Sequence, residues 1–315
     1  MLLALAFCSL LLLEKANAIN ELCGQYETYY QYPYIWNKNA WNKDDTGFSC
    51  TYVSQQPNAS SNAWFALWRW SGDPSVKGYP NVGFQSTILP LQLQDLRQMN
   101  ISASWKLAYS NASNQSIDET DTAADVALDL FADEDREKSM QSTKQKYEIM
   151  IWYARWGNSS QPIGKLVKKK KKAVVAVLGD TSFQLYHGRN ARRQTVYTWL
   201  ANRTMSTIDM DYAPLLGVLV DRGLISKKVY LGSVMWGIET SYATQKMNFT
   251  VDSFGAGIRT SNQSTDAAGE IMSAPGDSND DGPPVADLLS KGSHARVMMT
   301  GYPVLLAIIG LVFLY

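Results

Sequence analysis

The chain has 315 residues, of which 45% are hydrophobic and 18% charged, and its formal net charge is zero. That length can bury one full core with segments to spare. A neutral balance gives no general field for nucleic acid, and with only two histidines, His187 and His294, a multi-histidine metal centre or a Ser-His-Asp triad has too few imidazoles to draw on.

The amino end, "MLLALAFCSLLLLEKANA", is an apolar run closed by Ala16-Asn17-Ala18. This is the small-x-small pattern of a secretory signal peptide over residues 1–18, although it lacks a basic start. Cys8 would leave with it, and Cys23 and Cys50 would remain as an even pair in an oxidising compartment, where they are expected to bridge. Sequons at Asn58, Asn100, Asn111, Asn114, Asn158, Asn202, Asn248 and Asn262 fit a glycosylated secreted chain.

From Ile19 to Ile258 the chain reads as short strands separated by Gly, Asn, Ser and Pro. They include "CTYVSQ", "NAWFALWRWSG", "AADVALDLFAD", "YEIMIWYARW", "TSFQLYHG", "QTVYTWLA", "VYLGSVMWGIET" and "MNFTVDSFGAGI". This pattern predicts an all-β sandwich or barrel. "DMDYAPLLGVLVDRG" alone has helical spacing, at Leu215, Leu216, Leu219 and Val220, with Asp209 or Asp211 to cap it, Pro214 in its first turn and Gly223 to end it. "ADEDREKS" reads as a solvated loop, Lys168 to Lys172 as an exposed turn or strand edge, and His187 as a turn residue.

In "YEIMIWYARW" side chains alternate between faces. Tyr147, Ile149, Ile151 and Tyr153 form one set, suited to a core; Glu148, Met150 and Trp152 form the other. A lone carboxylate there is either a salt-bridged strand residue or part of a site. With histidine and cysteine chemistry set aside, paired carboxylates in a groove of Trp and Tyr remain, which is the equipment of glycosidic bond cleavage.

After Ile258 comes a polar stretch, 259–296, rich in Gly, Ser, Asp and Pro, and then an apolar tail, 297–315. Spacer, small residues and tail together read as a glycosylphosphatidylinositol anchor signal. Ser290 is the preferred attachment site and Asp280 a second candidate. The alternative is a single membrane-crossing helix, for which the tail is short.

"LCGQYETY", "NKNAWNKD", "CTYV", "WRWSG", "YPNVG", "ADVALDLF", "YEIMIW" and "GIET" follow one another in the order and spacing of glycoside hydrolase family 12. From Leu22 to about Ile258 the chain resembles that family's fungal and oomycete members. The resemblance implies a β-jelly-roll of two curved antiparallel sheets with one packed helix and an open concave cleft for β-glucan. It implies Glu148 as nucleophile, Glu239 as general acid/base and Asp129 as a residue hydrogen-bonded to the nucleophile. Asn39 and Trp41 would contact substrate, and Met150 and Trp152 would line the floor. No cofactor or metal is implied, and a monomer is expected. The family is retaining, so the two carboxyls should lie about 5 to 5.5 Å apart, one with a raised pKa and the other low. Ile238, Thr240 and Ser241 stand where the family has Thr, Pro and Phe, and Leu128 where it has Tyr. The leading reading is a secreted endo-β-1,4-glucanase; the alternative is a catalytically impaired glucan binder or host-recognised surface protein on the same fold.

Overall fold

Residues 19–54, 62–112, 114–141 and 143–261 are described in this computed structural model. Residues 1–18, read as a signal peptide, most of the polar stretch with Asp280, Ser290 and His294, the tail, and Asn58 and Asn262 lie outside them.

Two sheets carry the fold. A six-stranded sheet runs Ile19–Leu22, Gly47–Ser54, Trp64–Trp70, Met247–Thr260, Leu96–Tyr109 and Thr207–Asp211. An eleven-stranded sheet has as its main path Lys165–Leu166, Thr181–Arg189, Thr195–Ala201, Tyr147–Trp156, Thr122–Asp133, Tyr230–Ala243, Asn81–Phe84, Tyr34–Asn37 and Thr28–Gln31. One pair departs from the antiparallel expectation: Tyr147–Trp156 and Thr195–Ala201 run parallel. The chain between them makes this possible by adding a hairpin partner, Thr181–Arg189, on the far side of Thr195–Ala201.

The core draws on both sheets. Seven of the ten tryptophans, Trp36, Trp64, Trp68, Trp70, Trp105, Trp199 and Trp236, belong to it, so most of the indoles stabilise the sandwich rather than wait at a surface. Tyr147, Ile149, Ile151 and Tyr153 join the same core. Met150 and Trp152 fall into a separate small cluster with Ala127 and Val196. The alternation in "YEIMIWYARW" therefore sorts its side chains to the two faces as the period requires.

The predicted helix is Ala213–Asp221, with Leu215, Leu216 and Leu219 buried and Val220 half-buried. Neither expected Asp is the N-cap, which is Tyr212 without a side-chain cap; Asp211, one residue earlier, accepts through Oδ1 from Ala213 N at 3.0 Å and from Met99 N at 2.8 Å. Gly223, at φ 68°, follows the last turn, where a side chain would be strained. The loop expected at "ADEDREKS" contains one helical turn, Arg136–Ser139, because Asp135 accepts from Glu137 N at 2.9 Å and Lys138 N at 3.1 Å. His187 lies in a strand rather than a turn and stacks on Tyr197, a core residue, at 4.9 Å between ring centroids.

Cys23 and Cys50 are disulfide-bonded, with Cα atoms 4.4 Å apart. The bond ties the first strand's end to the strand it pairs with. Asn100, Asn111, Asn114, Asn158 and Asn202 are exposed, whereas Asn248 is half-buried and accepts from Thr250 Oγ1 at 3.3 Å. The last strand continues through Arg259 and Thr260, two residues past the sequence-based domain end.

Candidate active site

Side chains opposite one another in paired strands share a face. On the face of the large sheet away from the core, two neighbouring rows cross it from edge to edge. The first is Thr28, Asn37, Asn81, Gly237, Ala127, Trp152, Leu200, Gln184 and Val175. The second is Tyr30, Ile35, Gly83, Met235, Asp129, Met150, Thr198, Tyr186 and Leu166. The "YPNVG" motif supplies Asn81 and Gly83 to these rows and sends Val82 to the core. Gly237 and Ala127 keep the middle of the first row low, and it is covered: Ala127 is fully buried, and a Cβ on Gly237 would meet Pro80 O and Asn81.

Four carboxylates surround that low point. Asp125 and Asp129 sit two residues to either side of Ala127 on the same strand face. Glu239 is opposite Asp125, and Glu148 is opposite Phe131, the next position on that face beyond Asp129. Glu239 and Glu148 thus come from the strands on either side of Thr122–Asp133, and from opposite sides of the first row. Sequence reasoning named Glu148, Glu239 and Asp129, and the fold gathers all three.

Their surroundings differ. Glu148 Oε2 accepts from Asn190 Nδ2 at 2.7 Å. Burial raises the Glu148 pKa, while Asn190 and the charge of Arg192 oppose that rise by favouring the ionised form. The low value expected for this residue is therefore not found: burial outweighs its two supports. Glu239 is pushed up to about 7, by burial first and then by the charge of Glu148, and a hydrogen bond with Asp125 draws it down. Asp125 lies well above the usual carboxylate range because it is buried and faces Glu239; Ser160 Oγ donates to its Oδ1 at 3.2 Å and opposes the shift. Asp125 and Glu239 thus face each other as two buried carboxyls, both shifted towards the protonated form.

Asp129 is also raised well above its ordinary value, by burial and then by Glu148 and Glu239. Among the described residues its Oδ1 has no hydrogen-bond partner, nor have Trp152 Nε1 and Thr198 Oγ1 on the same face. The donor to Glu148 is Asn190 rather than Asp129. Tyr79, buried beside all four carboxylates and kept neutral by burial and by their charges, bonds through its hydroxyl to Ala127 O at 3.0 Å and Met235 O at 3.2 Å. It fastens the Asp125/Asp129 strand to the Glu239 strand from the "YPNVG" segment.

The unfamiliar neighbours of Glu239 are firmly held. Thr240 N donates to Gly78 O at 2.9 Å, a bond that a proline there could not make. Thr240 Oγ1 donates to Gly78 O at 3.2 Å and accepts from Trp70 Nε1 at 3.2 Å. Ile238 is fully buried in the core, and its N–H donates to Pro80 O at 3.1 Å. Asn39, at φ 47°, accepts through its carbonyl from Tyr79 N at 2.9 Å, which docks its loop on the same segment. Trp41, two residues on, is 41% exposed, whereas Met150 and Trp152 are each 3% exposed as a packed floor.

Sequence reasoning missed Asp125 and Asn190. The D-x-x-x-D spacing of "DVALDLF" held the signal for Asp125, since residues four apart in a strand share a face. Asn190 had none: it lies in a loop, 42 positions from its partner.

Residues 32–259 match Glycosyl hydrolase family 12. The chain belongs to glycosyl hydrolase family 12. The xyloglucan-specific endo-beta-1,4-glucanase A of Aspergillus niger is 30% identical over 241 residues, 75% of this chain and 91% of that protein. The "Inactive glycoside hydrolase XLP1" of Phytophthora nicotianae is 27% identical over 241 residues, 76% of this chain and 92% of that protein. The catalytic domain of Humicola grisea Cel12A, solved with a thio cellotetraose, has a TM-score of 0.64 at 26% identity, covering 76% of this chain and 99% of that one. This family 12 chain is a glycoside hydrolase with a jelly-roll fold.

Proposed function

We propose that the chain is a secreted, retaining endo-β-1,4-glucanase that cleaves cellulose-like β-glucan or xyloglucan by double displacement. The observation that carries this reading is the pair Glu148 and Glu239, placed across the low Gly237–Ala127 point of the cleft face and given unequal surroundings. Glu148, with Asn190 and Arg192 favouring its charge, attacks the anomeric carbon as a carboxylate. Glu239, with a pKa near 7, delivers its proton to the leaving glycosidic oxygen. The glycosyl–Glu148 ester is then opened by water, from which Glu239 takes a proton, and both residues return to their starting states. This requires the two carboxyls to work at about 5 to 5.5 Å from each other. Asp129, between them, sets their charge balance. Trp152, Met150, Asn39 and Trp41 hold the sugar chain.

The chain acts alone as a monomer, outside the cell, held at its surface through a lipid on Ser290. The signal pattern over residues 1–18 and the spacer-plus-tail pattern support this. Release from intact cells by phosphatidylinositol-specific phospholipase C is the expected result; finding the "AIIGLVFLY" peptide in the mature protein would oppose it.

The second reading, a glucan binder without turnover, is favoured by one observation: a relative of similar identity is named inactive. Against it stand both glutamates and the held backbone beside Glu239. Reducing-end release from barley β-glucan, carboxymethylcellulose and xyloglucan decides between them. The endoglucanase should cut at least one polymer internally, with the β-anomer as first product by NMR. Binding without release would leave the second reading.

A further inference from the structure

The five consecutive lysines have no part in the chemistry above, and their structure is unusual. Lys168–Lys169 pairs with Lys172–Ala173 in a two-stranded hairpin whose two turn residues, Lys170 and Lys171, have φ of 49° and 67°. Such turns favour Asn-Gly, because a side chain in the left-handed region is strained. Lys169 and Lys172 are directly opposite, where like charges destabilise a pair. All five are exposed, and none takes part in a salt bridge among the described residues. The hairpin is nevertheless firmly based. Val174 is buried, Val174 N donates to Val167 O at 2.8 Å, Val167 N to Leu185 O at 2.8 Å, and Leu185 N to Val174 O at 3.0 Å. A strained and self-repelling cation cluster on a rigid base points to an anionic partner.

Its position says which kind. The hairpin springs from the edge strand of the cleft-bearing sheet. The next residue after its base is Val175, the last member of the row that runs through Gly237, Ala127 and Trp152. Val175 and Val177 lie on the cleft face and are 44% and 66% exposed. A polymer following the row leaves the cleft over these apolar side chains and beside the lysines.

We infer that the Lys168–Lys172 hairpin is a docking surface for a carboxylate-bearing polysaccharide, bound where the glucan path leaves the cleft. Its acidic sugars would place carboxylates against the lysines and the apolar faces of its rings against Val175 and Val177. The inference rests on the row as the path of the polymer, but its test reads binding without turnover, so either idea can fail alone.

The full chain is run through gels containing polygalacturonate, its fully methyl-esterified form or neutral β-glucan, and is also sedimented with phosphatidylserine vesicles. Polygalacturonate should retard it strongly, esterification should abolish that component, and about 1 M salt should do the same. The combined variant Lys169→Gln, Lys170→Asn, Lys171→Gly, Lys172→Gln keeps a favoured turn and should bind polygalacturonate roughly tenfold or more weakly, with hydrolysis of neutral glucan unchanged. The esterified polymer and the salt series test the idea on the unaltered chain even if the variant does not fold. Equal retardation by acidic and esterified polymer, unchanged binding by a folded variant, or tighter binding to the vesicles than to polygalacturonate would overturn it.

Discussion

Glu239 and Asp125 face one another across neighbouring antiparallel strands, both buried and both with a proton affinity above the usual carboxylate range. The hydrogen bond with Asp125 lowers the Glu239 pKa against the rise from burial and leaves it near 7. Asp125→Asn should keep that bond, so the basic limb of the kcat/KM profile should stay close to pH 7. Asp125→Ala removes it, so that limb should move to higher pH while kcat falls. A profile that shifts equally in the two variants would show that Asp125 does not act through this hydrogen bond.

The acid limb belongs to Glu148. Asn190→Ala deletes the donor at 2.7 Å, so the Glu148 pKa should rise and the acid limb should move upward. A hydrogen bond to a charged group is worth about 1.5–3 kcal/mol, enough to shift the limb by one to two pH units. Arg192→Ala should shift it in the same direction by less, and salt should blunt the difference. An unmoved limb in Asn190→Ala would detach Glu148 from the acid side of the profile.

Stability should follow the same protons. The Glu239 pKa rises from its ordinary 4.5 to about 7 on folding, so between these values the native state holds a proton that the unfolded chain has lost. The stabilisation is full below pH 4.5 and is lost as pH rises through about 7. The loss from this residue is on the order of 3 kcal/mol, and Glu239→Gln should flatten that part of a denaturation-versus-pH curve.

Much of this site could be read in the sequence because strand period assigns faces without knowledge of neighbours. Glu148, Met150 and Trp152 went to the cleft face, and their alternates to the core, as alternation dictates. The helix was legible for a similar reason, since Asp211, Pro214 and Gly223 act within a turn or two of their own positions. Partners set by strand order were not legible. The parallel neighbour of the Glu148 strand is 48 positions away in register, and the loop before that neighbour brings Asn190 to Glu148. The tryptophan count alone could not assign each indole to a face; most of them fill the space between sheets.

Thr240 tests whether the altered neighbourhood of Glu239 is a working one. Thr240→Val removes a hydroxyl that bonds to Gly78 O and Trp70 Nε1 and leaves that buried indole N–H unpaired. The expected loss is about 1–3 kcal/mol in denaturant unfolding, with activity reduced through misplacement of Glu239. Stability unchanged within error would mean that these bonds do not hold the strand.

The division of roles between the two glutamates is tested most directly by covalent trapping. The enzyme is incubated with a 2-deoxy-2-fluoro-β-cellobioside carrying an activated leaving group, and its peptides are mapped by mass. The sugar ester should be found on Glu148, within the peptide containing "YEIMIW", and Glu148→Gln should not be labelled. A label on Glu239 or Asp129, or none on an enzyme that still cuts glucan with inversion, would contradict the account.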